Sequence, residues 1–371
     1  MLLSGCGWQY GFLDSTVYIE EDYEVRIPVE EESVPPEINS REDLKNALRS
    51  MIYDGMNQST FVFSEAYSSD IEKDPGELTR EVRLDDAYCA YCVSSIDYRI
   101  SDIILLRRIT FDISYAEDAN TIDRVYTSAY TTGIDEYILS ALKNGEKELV
   151  MLFENSYYSS VQMEDIIEKL YRSEPSCCVI KPVISVLMYS GAEKQRLYDV
   201  NIKYNIDENE ILRRRSLLAN LDIEGDAETE GLSDTDKLWE LYDYFRRQVT
   251  LCDHSEHSSI YDAFIAGECN CEGLSLAFIE AAKQTGLKAI SVFGQEKWTD
   301  HYWNIIVLDD AYYHIDLSAN LRQAKDILPA TETEMWERDY RWELDEYPEA
   351  RTEFVFSGSQ KWDFPSDGLI G

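Results

Sequence analysis

Positive charge is what this sequence has least of. Its 371 residues carry 34 Lys and Arg against 72 Asp and Glu, a formal net charge of −38. That balance leaves no basic footprint for a phosphate backbone, so no nucleic-acid partner is expected, and anionic membrane surfaces are disfavoured as well. No apolar run reaches the roughly 18 residues that a membrane-spanning helix needs. Cysteine is thin too: eight in the chain, with neither the density nor the spacing of a disulfide scaffold. Apolar surface is not lacking. At 44% hydrophobic and 12% aromatic the chain can pack two or three domains, which excludes a disordered protein.

The first residues hold a short word of their own. Leu3-Ser4-Gly5-Cys6 reads as a lipobox, the sequence ahead of the lipidated Cys of bacterial lipoproteins, although only five residues precede Cys6. The expectation is a trimmed or misassigned start. Cys6 would then be a lipid anchor, the sole membrane attachment, with the rest of the chain outside the cytoplasm; if Met1 is the true start, the protein is cytoplasmic.

Breaks in pattern divide the rest. Residues 1–36 form an acidic leader that ends at Glu30-Glu31-Glu32-Ser33-Val34-Pro35-Pro36. Residues 37–118 and 133–210 read as two small α+β modules related by duplication. At one constant offset Leu44 falls on Ile134, Leu48 on Ile138, Gly55 on Gly145, Phe63 on Phe153 and Tyr67 on Tyr157. Each module is expected to run helix, strand, helix, strand, strand: about residues 40–53, 60–65, 74–84, 89–99 and 104–115, then about 133–143, 148–154, 162–172, 177–189 and 195–206. Ala116 to Thr132 joins them. Residues 211–231, whose second half is acidic and short of large side chains, are expected to be a linker into a last domain, 232–371. Cys89 and Cys92 have Cys-x-x-Cys spacing inside a strand-like run. A redox pair wants its first Cys at a helix N-terminus, so packing is expected there, as it is for Cys177 and Cys178.

The chemistry lies in the last domain. Gly267 to Cys271 is small and turn-forming, and it gives way to Leu274, Ala277, Phe278, Ala281 and Ala282 at helical period, with Gly286 where a C-cap belongs. Cys271 should therefore open a buried helix. There the unpaired N–H groups and the positive end of the dipole favour thiolate over thiol, and could receive an oxyanion. Further on, His301 to Leu308 and Ala311 to Asp316 are β-rich runs around Asp309-Asp310, which reads as a two-residue hairpin turn. That register pairs 301 with 318 and leaves Asp316 one diagonal step from His301 on the same face, whereas a one-residue slip would part them. His314 is a competing base, expected to be structural.

These words carry a resemblance. Cys271-Glu272-Gly273 followed by Ala277-Phe278, then His301-Tyr302-Trp303-Asn304, then Tyr312-Tyr313-His314-Ile315-Asp316, resemble the bacterial transglutaminase-like superfamily, whose core is similar to papain-type cysteine proteases. So does a preceding helix that starts at Ser233 and sets Leu238, Leu241, Tyr242, Phe245 and Val249 on one face. The resemblance covers about residues 232–330. It implies an α+β fold, with the Cys helix packed on an antiparallel sheet. It also implies Cys271 as nucleophile, His301 as general base, Asp316 as the residue that orients the imidazole, and no cofactor or metal. The chain departs from the family at Leu274, at the bulky Tyr302, expected to alter packing behind the site, and at Leu317-Ser318-Ala319-Asn320 after the Asp. The resemblance also implies a polar oxyanion donor upstream of the nucleophile, and no residue is assigned to it.

The expected function is an extracytoplasmic amide or peptide hydrolase, or acyl transferase, working through a thioester. Its substrate would be a peptide or protein, cell-wall peptide included. The alternative is a catalytically silent transglutaminase-like surface scaffold. A different chemistry would use His254, His257, Cys269 and Cys271 as a tetrahedral zinc site, which leaves His301 and Asp316 idle. Trp336, Trp342 and Trp362 mark a tail expected to pack across the last domain or, less in keeping with such clusters, to form a carbohydrate or peptide platform.

Overall fold

A computed structural model describes residues 35–103, 106–117, 124–177, 179–323 and 329–355. Cys6, Cys178 and Trp362 lie outside the described residues. The chain is α+β, with three four-stranded sheets among the described residues.

The first sheet is built from β1 (Glu37–Ile38), β2 (Gln58–Phe63), β3 (Val93–Ile103) and β4 (Leu106–Tyr115), in the order β1-β2-β4-β3. The second uses β5 (Tyr126–Tyr130), β6 (Glu148–Asn155), β7 (Val183–Ser190) and β8 (Arg196–Lys203), in the matching order β5-β6-β8-β7. In each sheet the short first strand runs parallel to the second and the other pairs are antiparallel. Strand β5 falls within the stretch read from sequence as a joiner. Strand β7 begins six residues later than expected, because Pro175–Cys177 turns as a short 3-10 helix first.

Strand β6 explains how the sheets are stacked. Its run Leu149-Val150-Met151-Leu152-Phe153 is buried throughout, and the two-residue period of a strand divides it between faces. Leu149, Met151 and Phe153 join the core that holds the Cys271 helix, while Val150 and Leu152 join the core of the first sheet. A strand covered on both faces reads as continuously apolar, as this one does.

Two expectations fail in this region. Residues 87–92 are a helix, not the start of a strand. Asp86 accepts the Cys89 N–H at 3.0 Å as an N-cap, and the short helix wedges between the sheets, with the Ala87 N–H donating to Gln195 Oε1 at 2.7 Å. Cys89 does sit in a first helical turn, but both thiols are buried. Burial pushes Cys89 well up and Cys92 up to about 12, so the pair stays as packing. The segment 211–231 is no free spacer either. It contains most of the helix Glu208–Leu218 and all of Ile223–Asp226, and Ile223 is buried with its N–H directed to Gln284 of the Cys271 helix.

The last sheet contains β11 (Lys288–Glu296), β12 (Thr299–Leu308), β13 (Ala311–Ile315) and β14 (Tyr340–Arg341), in the order β13-β12-β11-β14. Two further strands, β9 (Thr250–Leu251) and β10 (Glu268–Cys269), pair in parallel just ahead of Cys271. The helix Cys271–Gln284 packs on β11 and β12. Helix Asp234–Gln248, capped by Ser233, buries Leu238, Leu241 and Phe245 beside it, while Tyr242 and Val249 pack at the margin of the same core.

Strand β14 brings the tail across the edge of β11. Gly294 makes that approach possible, since a methyl group there would run into the Arg341 carbonyl, the Trp303 ring and Trp342 Cβ. Gly294→Ala is therefore expected to lower unfolding free energy by about 1–3 kcal/mol, as overpacking does. Denaturant titration followed by Trp fluorescence reads the change.

Candidate active site

The nucleophile candidate sits where sequence period puts it. Asn270 caps the helix by accepting the Gly273 N–H at 3.0 Å, and Cys271 is the first helical residue, partly exposed. The N–H groups at Cys271 and Glu272 precede the capped one and have no carbonyl partner within the helix. Gly273 keeps the turn close to the preceding loop, for a Cβ would press on Cys269 and the backbone of His257 and Ser258.

The hairpin register is as expected where the strands last. Asp309 and Asp310 take φ of 49° and 64°, the left-handed pair of a two-residue type I′ turn, and Leu308 pairs with Ala311, Asn304 with Ile315. The extrapolated pairing of 301 with 318 does not form, because β13 ends at Ile315 and a helix, Leu317–Gln323, begins. His301 pairs instead with Gly294 on β11. Asp316 still reaches His301, from the N-cap position of that helix. The His301 ring donates from Nε2 to Asp316 Oδ2 at 2.7 Å. Cys271 also acts on this imidazole, its side chain and charge both helping to raise His301.

Asp316 is held from several sides. Ser318 Oγ donates to Oδ1 at 2.8 Å, the Ala319 N–H donates to Oδ1 at 2.9 Å, and Tyr340 donates its hydroxyl to Oδ2 at 2.6 Å. The unusual Leu317-Ser318-Ala319 turn is thus what cradles the carboxylate. Burial alone would raise the acid's pKa, but the hydrogen bond and charge of His301, with those of Tyr340 and Ala319, hold it below the usual carboxylate range. For His301 burial acts downward, yet Asp316 and Cys271 outweigh it and raise the imidazole to about 10. Only 3% of His301 and 7% of Asp316 is exposed, so the pair works away from bulk water.

The other candidates have different surroundings. His314 is fully buried, accepts the Trp303 indole N–H at Nδ1 (3.0 Å), and burial lowers it to about 4. It is a neutral, structural imidazole behind the site. The His254, His257, Cys269 and Cys271 quartet is not assembled: Cys269 is fully buried with its thiol pushed up by that burial, and Cys271 is engaged with His301. Tyr302 contacts Phe293 with ring centroids 4.9 Å apart and sits below Lys181, whose Nζ bonds both Glu272 carboxylate oxygens at 2.8 and 3.0 Å. Lys181 belongs to the stretch leading into β7, so the second sheet's unit walls the nucleophile's turn. The sequence carried no local signal for Lys181 or Tyr340, since both act across long separations.

No protein-family model matches this sequence, and no curated protein matches it. Among solved structures the chain is similar to a protein described as a TGase, with 13% identity and a TM-score of 0.28 over 57% of this chain and 63% of that one. It is also similar to a protein from Cytophaga hutchinsonii described as a "putative cysteine protease", with 10% identity and a TM-score of 0.24 over 38% of this chain and 64% of that one. The chain thus spans somewhat under two thirds of each. At these scores the similarity assigns no role to any residue.

Proposed function

We propose that the chain is a cysteine-dependent acyl-transfer enzyme that hydrolyses an amide or peptide bond, using a transglutaminase-like, papain-related domain over residues 232–371. One observation carries the proposal. Cys271, His301 and Asp316, from a helix start, a strand and a helix cap, form one line of interaction: His301 bonds Asp316 at 2.7 Å, and the Cys271 side chain acts on the same imidazole.

Along that line Cys271 thiolate attacks the amide carbonyl carbon, and the carbonyl electrons move onto oxygen near the N–H groups of the helix start. When the tetrahedral intermediate collapses the C–N bond breaks, and His301 gives its Nδ1 proton to the leaving amine. The neutral imidazole then takes a proton from water, whose oxygen attacks the thioester and releases the acid and the thiolate. Asp316 keeps the ring oriented and balances the imidazolium charge. Hydrolysis is favoured over transfer to an amine because water is always present at the thioester.

The two N-terminal sheets, alike in strand order, support a reading of duplicated modules, and the reach of Lys181 to Glu272 suits a role in shaping access for a peptide substrate. The Leu3-Ser4-Gly5-Cys6 word adds the proposal of a lipid-anchored, extracytoplasmic protein acting on cell-wall peptide, checked by the mass of the mature N-terminus. Incubation with a panel of peptide amides and cell-wall peptides should give amine release and a transient acyl mass on Cys271, both lost in Cys271→Ala. Release that persists in Cys271→Ala would refute the mechanism. No release, with a Cys271 inert to alkylation, favours the silent scaffold.

A further inference from the structure

A second group of reactive side chains lies beside the nucleophile and takes no part in the proposed reaction. Cys252 follows β9, Glu268 lies in β10, and His257 sits in the loop between them. One ligand atom from each comes within 4.8 Å of the other two. Cys252 Sγ is 3.6 Å from His257 Nδ1, which is 3.8 Å from Glu268 Oε1. In a tetrahedral zinc site, with Zn–S of about 2.3 Å and Zn–N and Zn–O of about 2.0–2.2 Å, the edges between ligand atoms are about 3.4–3.6 Å. The two measured edges are already close to those lengths.

We propose that Cys252, His257 and Glu268 bind one zinc-class divalent cation, with the fourth position open to water. Thiolate, imidazole and carboxylate together suit zinc and its transition-metal neighbours rather than calcium or magnesium, which take oxygen ligands. The three are partly exposed, so the cation has a route in from solvent. Parallel pairing fixes two of the segments, for the Cys252 N–H donates to the Cys269 carbonyl at 3.0 Å.

The site also has a mechanical link to Cys271. The Asn270 N–H donates to the His257 carbonyl at 2.8 Å, and Asn270 Nδ2 donates to the His254 carbonyl at 3.1 Å. Asn270 is the cap of the nucleophile's helix. A cation that ties Cys252, His257 and Glu268 together therefore fixes the loop on which that cap leans. The ligands that sequence spacing suggested, Cys269 and Cys271, are replaced here by Cys252 and Glu268, which strand pairing brings in.

The test uses the full chain and zinc alone, and its readout is binding rather than activity. The expected result is one zinc per chain by metal analysis after dialysis, unchanged in Cys271→Ser and His254→Ala. Cys252→Ser and His257→Ala should weaken binding by more than the roughly 10–100-fold that loss of an outer-shell partner costs. Zinc should also protect Cys252, but not Cys271, from alkylation mapped by mass spectrometry. That second measurement, made on the unaltered chain, holds even if a ligand variant fails to fold. No stoichiometric zinc, binding that survives both ligand substitutions, or protection that falls on Cys271 would overturn the proposal. Because the Cys271→Ser chain still reports, failure here is separable from failure of the hydrolase reading.

Discussion

Asp316→Ala should lower unfolding free energy by about 3–5 kcal/mol, the usual cost of removing one partner from a buried ion pair. The carboxylate is nearly inaccessible and accepts from His301, Tyr340, Ser318 and the Ala319 N–H. Without it a buried imidazole and several donors lose their acceptor at once, and the helix Leu317–Gln323 loses its cap. Tyr340→Phe removes a single donor and should cost less, about 1–3 kcal/mol. Denaturant unfolding of both variants checks the order, and a loss below about 1 kcal/mol for Asp316→Ala would contradict the network.

The same pair sets a pH window. His301 is raised from 6.5 to about 10, so its contribution is fully present below 6.5 and is lost as pH rises through about 10. Asp316 is depressed from 3.8, so its contribution is present above 3.8 and is lost as acid takes pH down through its lowered value. Between these limits the pair is charged and stabilising in both members. In Asp316→Ala this window should flatten.

His301→Ala should slow alkylation of Cys271 by about 10-fold or more at pH 6.5. The imidazole is a base beside the thiol, and a positioned base typically contributes about 100-fold or more where a proton must move, of which alkylation draws on a part. A thiol probe with peptide mapping measures it. Equal rates in the two chains would mean that His301 does not govern the thiol.

What the sequence allowed to be read was local. The Cys271 helix has a helical apolar period behind an Asn cap, and the Asp309-Asp310 turn has acceptors that tolerate positive φ, so both follow from neighbours in the chain. The Ala87–Cys92 helix misled for a related reason: Tyr and Cys favour a half-buried strand, but an Asp cap and a slot between two sheets decided otherwise. Asp316 met His301 by a different route from the one expected, through a helix cap in place of a strand diagonal. Tyr340, Lys181, Cys252 and Glu268 were illegible because their roles depend on segments that meet only in the folded chain. The length of each spacer says nothing of that meeting.

The most direct test of the central claim compares Cys271 with Cys252 in the same molecule. Both are partly exposed thiols, but only Cys271 acts on the raised imidazole of His301. With a chelator present, alkylation rates mapped from pH 6 to 11 should show Cys271 ahead throughout the neutral range, the lead closing as His301 loses its proton near pH 10. If Cys271 tracks Cys252 at every pH, Cys271, His301 and Asp316 do not act together as a nucleophilic centre.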